Sequence, residues 1–124
     1  MKTVIDTGLP VSRAPLEWAT LANGALYTAQ IPIDTNGKVV EGGAAAQARQ
    51  TLENLKQTMV AAGGSMDDIT QVLIYVTATE HLAPVNKVYA EYFTAPYPNR
   101  AAMVISALAR EEMWVEMIVY AHID

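Results

Sequence analysis

In the segment MWVEMIVYAHI, residues 113–123, every odd position is apolar: Met113, Val115, Met117, Val119, Ala121 and Ile123. Alternation with period two puts such a set on one face of a β-strand, and this face is expected to meet the core. The even set, Trp114, Glu116, Ile118, Tyr120 and His122, is mixed. A second strand is read over RAAMVISALA, 100–109. It has Ala101, Met103, Ile105 and Ala107 on one side and Arg100, Ala102, Val104, Ser106 and Leu108 on the other. The charged REE at 110–112 predicts a hairpin between these two strands.

Upstream, WATLANGALYTAQIPI (18–33) reads as two strands about Asn23-Gly24, a strong hairpin signal. TNGKVV (35–40) reads as a turn followed by a short extended piece. From Ala44 to Ala62 the period becomes helical. Ala48, Leu52, Leu55, Met59 and Ala62 share one side, and Arg49, Glu53, Asn54, Lys56 and Gln57 the other. Gly63-Gly64 ends this helix. DITQVLIYVTAT (68–79) is rich in β-branched residues and reads as a strand. EHLAPVNKVYAEYF (80–93) returns to helical spacing, with Leu82, Val85, Tyr89 and Tyr92 on one side and Pro84 in the first turn. TAPYPN (94–99) is a loop. The order β-β-β-α-β-α-β-β predicts one α+β domain over residues 1–124, a single mixed six-stranded sheet with two helices on one face.

Two helices leave the second face of the sheet bare. That face is too apolar for water and too polar for a simple core. A large exposed apolar face on a small protein marks an association surface, so a homo-oligomer burying it against copies of itself is expected. Arg100 and Glu116 are expected together on this subunit-facing side.

Composition narrows the function. The chain has 124 residues, 52% of them hydrophobic, which suits a real core. The net charge is −5 and no lysine/arginine stripe exists, which argues against nucleic-acid binding and a polybasic membrane patch. With no cysteine, disulfides, thiolate nucleophiles and thiolate metal sites are excluded. Apolar runs are too short to cross a bilayer, and MKTVIDTGLP lacks the apolar core of a signal peptide. A soluble, cytoplasmic protein is expected. His81 and His122 have no partner at metal-ligand spacing, so no metal site is expected. No glycine-rich phosphate loop is present.

Arg100 offers a planar fork that fits a small carboxylate bidentately and stays charged when partly buried. It fits equally an interface salt bridge, to Glu116 or to another subunit, and composition alone slightly favours that role. Glu116, among Trp114, Val115 and Met117, suits a carboxyl of raised pKa acting as general base or acid, or one half of a structural ion pair. Thr28 and Asn86 are candidate polar contacts. Thr28 also simply fits a strand, and Asn86 can bond within its own helix. Tyr75, Tyr89, Tyr92 and Trp114 are assigned to packing, with pocket lining as the alternative.

LYTAQIPID (26–34), QARQTLENLKQTMVAAGGSMDDITQVLIYVT (47–77), VNKVYAEYF (85–93) and PNRAAMVISAL (98–108) resemble the RidA/YjgF/YER057c family over nearly the whole chain. The resemblance implies a chorismate-mutase-like fold, a homotrimer with sites in clefts between subunits, and no cofactor. It implies hydrolytic deamination of reactive 2-imino or enamine acids, such as 2-iminobutanoate and 2-iminopropanoate, to 2-oxo acids and ammonia. Residue by residue it implies that Arg100 binds the substrate carboxylate and that Glu116 activates water. Thr28, Ala29, Asn86 and Ala102 fall on substrate-binding positions, Ala102 through its backbone N–H. The chain departs from the family at APLEWA (14–19), where the family's tyrosine is missing and Leu16 or Trp18 fills the space. It departs also at Ala29, a glycine in the family, and at Ile118, where many members carry a second glutamate. These departures leave the carboxylate clamp intact and bear on substrate choice. Two other functions remain open: a metabolite-binding regulatory protein without turnover, and a hydrolase or deaminase for a bulkier enamine or an amide.

Overall fold

Asn23 and Gly24 both sit at positive φ, 52° and 80°, the pair of values that a two-residue hairpin turn of the primed type needs. A Cβ on Gly24 would lie 2.9 Å from the Ile123 carbonyl oxygen, so the close approach of the last strand also requires glycine there. The computed structural model describes residues 1–124. Its elements are β1 (Thr3–Val4), β2 (Ala19–Ala22), β3 (Ala25–Gln30), α1 (Gly43–Ala61), β4 (Ile69–Val76), α2 (Leu82–Tyr89), β5 (Asn99–Val104) and β6 (Val115–His122). The strands form one mixed sheet in the order β1-β2-β3-β6-β4-β5. Every pairing is antiparallel except β4 with β5.

The expected fold class, a six-stranded mixed sheet with two helices on one face, is the observed one, built from a slightly different set of strands. Residues 35–40 form no strand and contribute one bridge, Ile33 with Val39. Asp34 Oδ1 accepts from the backbone N–H of Asn36 and of Lys38, which curls the segment into a turn. The sixth strand is instead Thr3–Val4, against β2.

The expected β5–β6 hairpin is absent, because β4 lies between them. Ile105 N–H bonds Val76 C=O while Thr77 N–H bonds Trp114 C=O, so the chain from 105 to 114 passes the end of β4. Topology explains the difference. A strand reached through a helical crossover lies parallel to the previous one, which sends β5 to the edge. The fully apolar inner face of β6 then gains most from a central place, and Val115, Met117 and Val119 are completely buried.

A bulge at Thr70 in β4 corrects the phase, so that Ile69 and Val72 both face the helices. Against this face α1 lays Ala48, Leu52, Leu55 and Met59, and α2 adds Val85 and Val88. α2 is shorter than the expected 80–93: a 3-10 turn occupies Thr79–His81, and the helix ends at Tyr89. Asn54, expected on the outer side of α1, is buried. Its Nδ2 donates to the carbonyls of Ile31 and Ile33, at 3.1 and 2.9 Å, and ties the loop after β3 to the helix. No helix is long and apolar enough to cross a membrane.

Candidate active site

Arg100 lies in the edge strand β5, level with Val72 of β4, which is level in turn with Val119 of β6. Residues level with one another share a face of the sheet, and Val72 and Val119 are buried under the helices. Arg100 therefore projects to the helix side, at the rim where helix cover ends. Ala102, level with Ile74, projects to the same side and is exposed. Because Ile105 N–H turns inward to β4, alternation along the strand turns the Ala102 N–H outward, to the open edge.

α2 connects β4 to β5 and so runs beside this edge. Asn86 and Tyr89 are three residues apart, on one face of the helix. Asn86 Oδ1 accepts a hydrogen bond from Arg100 Nη2. The Arg100 Cζ stands 4.6 Å from the centroid of the Tyr89 ring. That ring stacks in turn on Phe93, 4.3 Å between centroids. Tyr89 is only 6% exposed, and its hydroxyl is buried with no hydrogen-bond partner. Burial pushes the Tyr89 phenol up, and the charge of Arg100 opposes the shift. The Arg/Lys ion pair of the chain is Arg49–Glu91, so Arg100 carries no carboxylate of its own chain.

Glu116 stands elsewhere. It is level with Tyr75, itself level with Met103, on the face away from the helices. The expectation that Arg100 and Glu116 share a face is corrected: they occupy opposite faces. The reason is that β5 is exposed on both sides along Asn99–Ala102. Its two alternate sets hardly differ in polarity, so pairing with β4 decides which way Arg100 points. The Glu116 carboxyl is half-buried among apolar neighbours, and burial pushes its pKa up.

The remaining expected contacts divide the same way. Asn86 and Ala102 are gathered around Arg100. Ala29, level with Ile118, lies on the open face with Glu116. Thr28 is buried on the helix side of β3, where its hydroxyl donates to the Trp18 carbonyl and accepts from Gln30 Nε2. Within one chain its hydroxyl is fully engaged by these two partners. Trp18 Nε1 donates to the Pro10 carbonyl at 2.7 Å, while Leu16 remains exposed. Tyr89, expected to pack, is also part of the arginine's seat, and its three-residue spacing from Asn86 is the signal for that. No group of three or more His, Asp or Glu side chains converges as a metal site would.

Arg100 is thus a charged fork with one arm fixed, one planar face supported, and no internal counter-ion. Such a fork has the geometry and charge to accept a small carboxylate. The half-buried carboxyl on the opposite face, its pKa raised by burial, suits proton transfer. Within one chain the two groups cannot act on one small molecule.

Comparison with known proteins establishes the family and agrees with the fold. The family model described as Endoribonuclease L-PSP matches residues 9–123. The chain is 40% identical over 124 residues to a RutC family protein of Pyrococcus horikoshii, covering 97% of this chain and 98% of that protein. Its fold matches the Rid-family protein YyfA of Yersinia pestis with a TM-score of 0.93 at 34% identity, over 99% of this chain and 100% of that one. It matches Escherichia coli TdcF, solved with bound serine, with a TM-score of 0.90 at 27% identity, over 98% of this chain and 99% of that one.

Proposed function

Given that the chain belongs to the Endoribonuclease L-PSP family, the RidA/YjgF/RutC group, we propose that it hydrolyses reactive 2-imino and enamine acids to 2-oxo acids and ammonia. The observation that carries this reading is Arg100, seated by Asn86 and Tyr89 and left without a counter-ion in its own chain. A net charge of −5 and the lack of a basic stripe do not support a polynucleotide substrate.

The substrate carboxylate docks on the free edge of the Arg100 fork, with the Ala102 N–H as a further donor. The substrate reacts as its iminium. Water adds to the imine carbon, a C–O bond forms as the C=N π pair moves onto nitrogen, and Glu116, which orients that water, takes one of its protons. Glu116 then returns this proton to the amino nitrogen of the carbinolamine. The C–N bond breaks as the hydroxyl oxygen closes the C=O bond, the hydroxyl proton leaves with ammonia as ammonium, and the 2-oxo acid is released. Imines hydrolyse unaided, so positioning and one general base, worth roughly 10²–10⁴-fold, suffice. No cofactor enters this sequence.

Because Arg100 and Glu116 lie on opposite faces, the reading requires a second copy. In a closed homotrimer the open face of one copy presents its Glu116 to the β5 edge of the next. The half-apolar open face, with Leu73, Tyr75, Ile118 and Tyr120 all partly accessible, supports that association. The cytoplasm, where amino-acid metabolism releases imines, suits such an activity. Exposed Leu16, in place of a family tyrosine, favours a second substrate range, bulkier enamines, on the same machinery.

The test is competition. An amino-acid oxidase generates 2-imino acids from several L-amino acids, and semicarbazide traps them. The folded, oligomeric wild type is expected to lower semicarbazone yield, and Arg100→Ala to leave it unchanged. A wild type that never outcompetes the trap would overturn the reading.

A further inference from the structure

Arg100 is held in two ways. The Asn86 bond fixes where Nη2 points. It leaves the guanidinium free to swing about that contact. The second constraint is the Tyr89 ring, 4.6 Å below Cζ, held by its stack on Phe93. Arginine at an exposed strand edge otherwise keeps its full rotamer freedom, and binding an anion would then cost that entropy. A buried ring face supplies both a surface and an electrostatic attraction for the cation.

Resting on the deaminase reading above, we propose that the face of Tyr89 is a positioning platform for Arg100, acting on the substrate carboxylate through the arginine and never touching it. The hydroxyl plays no part. It is buried and bonded to nothing in the chain, whereas a hydroxyl with a task in binding would need a partner or an opening. The platform is set by the helix: Asn86 and Tyr89 are one turn apart on α2, so the same element aims the fork and supports its plane.

Two kinds of substitution separate the ring face from packing and from the hydroxyl. Tyr89→Phe keeps the face and removes only an unpaired hydroxyl, and its rise in KM is expected to be far smaller than that of Tyr89→Leu. Tyr89→Leu removes the face and is expected to raise KM roughly tenfold with kcat nearly constant. Should Tyr89→Leu fail to fold, a graded series with phenylalanine carrying increasing numbers of ring fluorines at position 89 replaces it. These rings fill nearly the same space while weakening the π-face step by step. The logarithm of the 2-oxobutanoate dissociation constant, read by calorimetry, is expected to rise steadily along the series at unchanged melting temperature.

A flat series with an active wild type overturns the platform and leaves the deaminase reading standing. A loss in Tyr89→Phe as large as in Tyr89→Leu also overturns it, since the hydroxyl would then carry the effect. A wild type that neither hydrolyses 2-imino acids nor binds 2-oxobutanoate overturns both together.

Discussion

Arg100 and Glu116 stand on opposite faces of one sheet. Arg100 is level with buried Val72, and Glu116 with Tyr75, the next-but-two residue along β4 and of the other parity. A chemistry that needs both must therefore draw them from two copies of the chain, and each half of the site can be tested alone.

The first half is the proposed clamp. Arg100→Ala deletes charge-assisted hydrogen bonds worth about 1.5–3 kcal/mol. It is expected to lower kcat/KM by roughly 10- to 100-fold through KM. Arg100→Lys keeps the charge and loses both the fork and the ring contact, so it is expected to recover only a small part. Steady-state kinetics in the imine competition assay check both variants.

Asn86→Asp tests whether Arg100 must be free of a counter-ion. The new carboxylate would sit where Asn86 Oδ1 now meets Nη2. The expected result is an unchanged or slightly raised melting temperature together with weakened 2-oxobutanoate binding, because the arginine is already neutralised. Unweakened binding would show that the anion does not meet this guanidinium.

Glu116 predicts a pH dependence. Burial raises its pKa, so between the ordinary carboxylate value and the raised one the folded state binds more protons than the unfolded state. Stability from this group is fully present below the ordinary value and is lost as pH rises through the raised one. Glu116→Gln is expected to melt higher than wild type at neutral pH, with the difference closing in acid. Under the proposed mechanism activity follows the opposite course, because the base must be deprotonated. Wild-type kcat/KM is expected to rise with pH through the raised value, and Glu116→Gln to lose that limb.

Asn54→Leu tests the tie that holds the loop after β3. It strands two carbonyls, of Ile31 and Ile33, in a buried setting. A loss of about 2–4 kcal/mol in urea unfolding is expected. A loss under about 0.5 kcal/mol would mean that water replaces the amide there.

Much of this was readable in advance where burial was strong and local. The odd set of β6 announces its buried face because its partners above it are all helix. Asn23-Gly24 announces its turn because few other pairs adopt two positive φ values. The strand order was not readable. The place of β6 between β3 and β4 depends on contacts far apart in sequence, and the short REE segment imitates a hairpin turn. The side on which Arg100 stands was hidden for a different reason. Ala101 and Ala102 are small and both exposed, so the edge strand has no polarity to read. Asn54 misled through its amide, which looks like surface until the two carbonyls it satisfies are seen. The carboxylate clamp was suggested by residue type and by resemblance, but its seat on Tyr89 needed the register of β5 and the path of α2.

The most direct test of a site shared between copies is complementation. With substrate held well below the wild-type KM, Arg100→Ala and Glu116→Gln are each expected to keep at most about a tenth of wild-type activity. Unfolded together and refolded at equal amounts, they should form mixed oligomers in which roughly a quarter of the sites pair an intact arginine with an intact glutamate. Recovery of about that fraction of wild-type imine hydrolysis is the predicted result. Mixed oligomers, verified by mass, that are no more active than the two parents would contradict it.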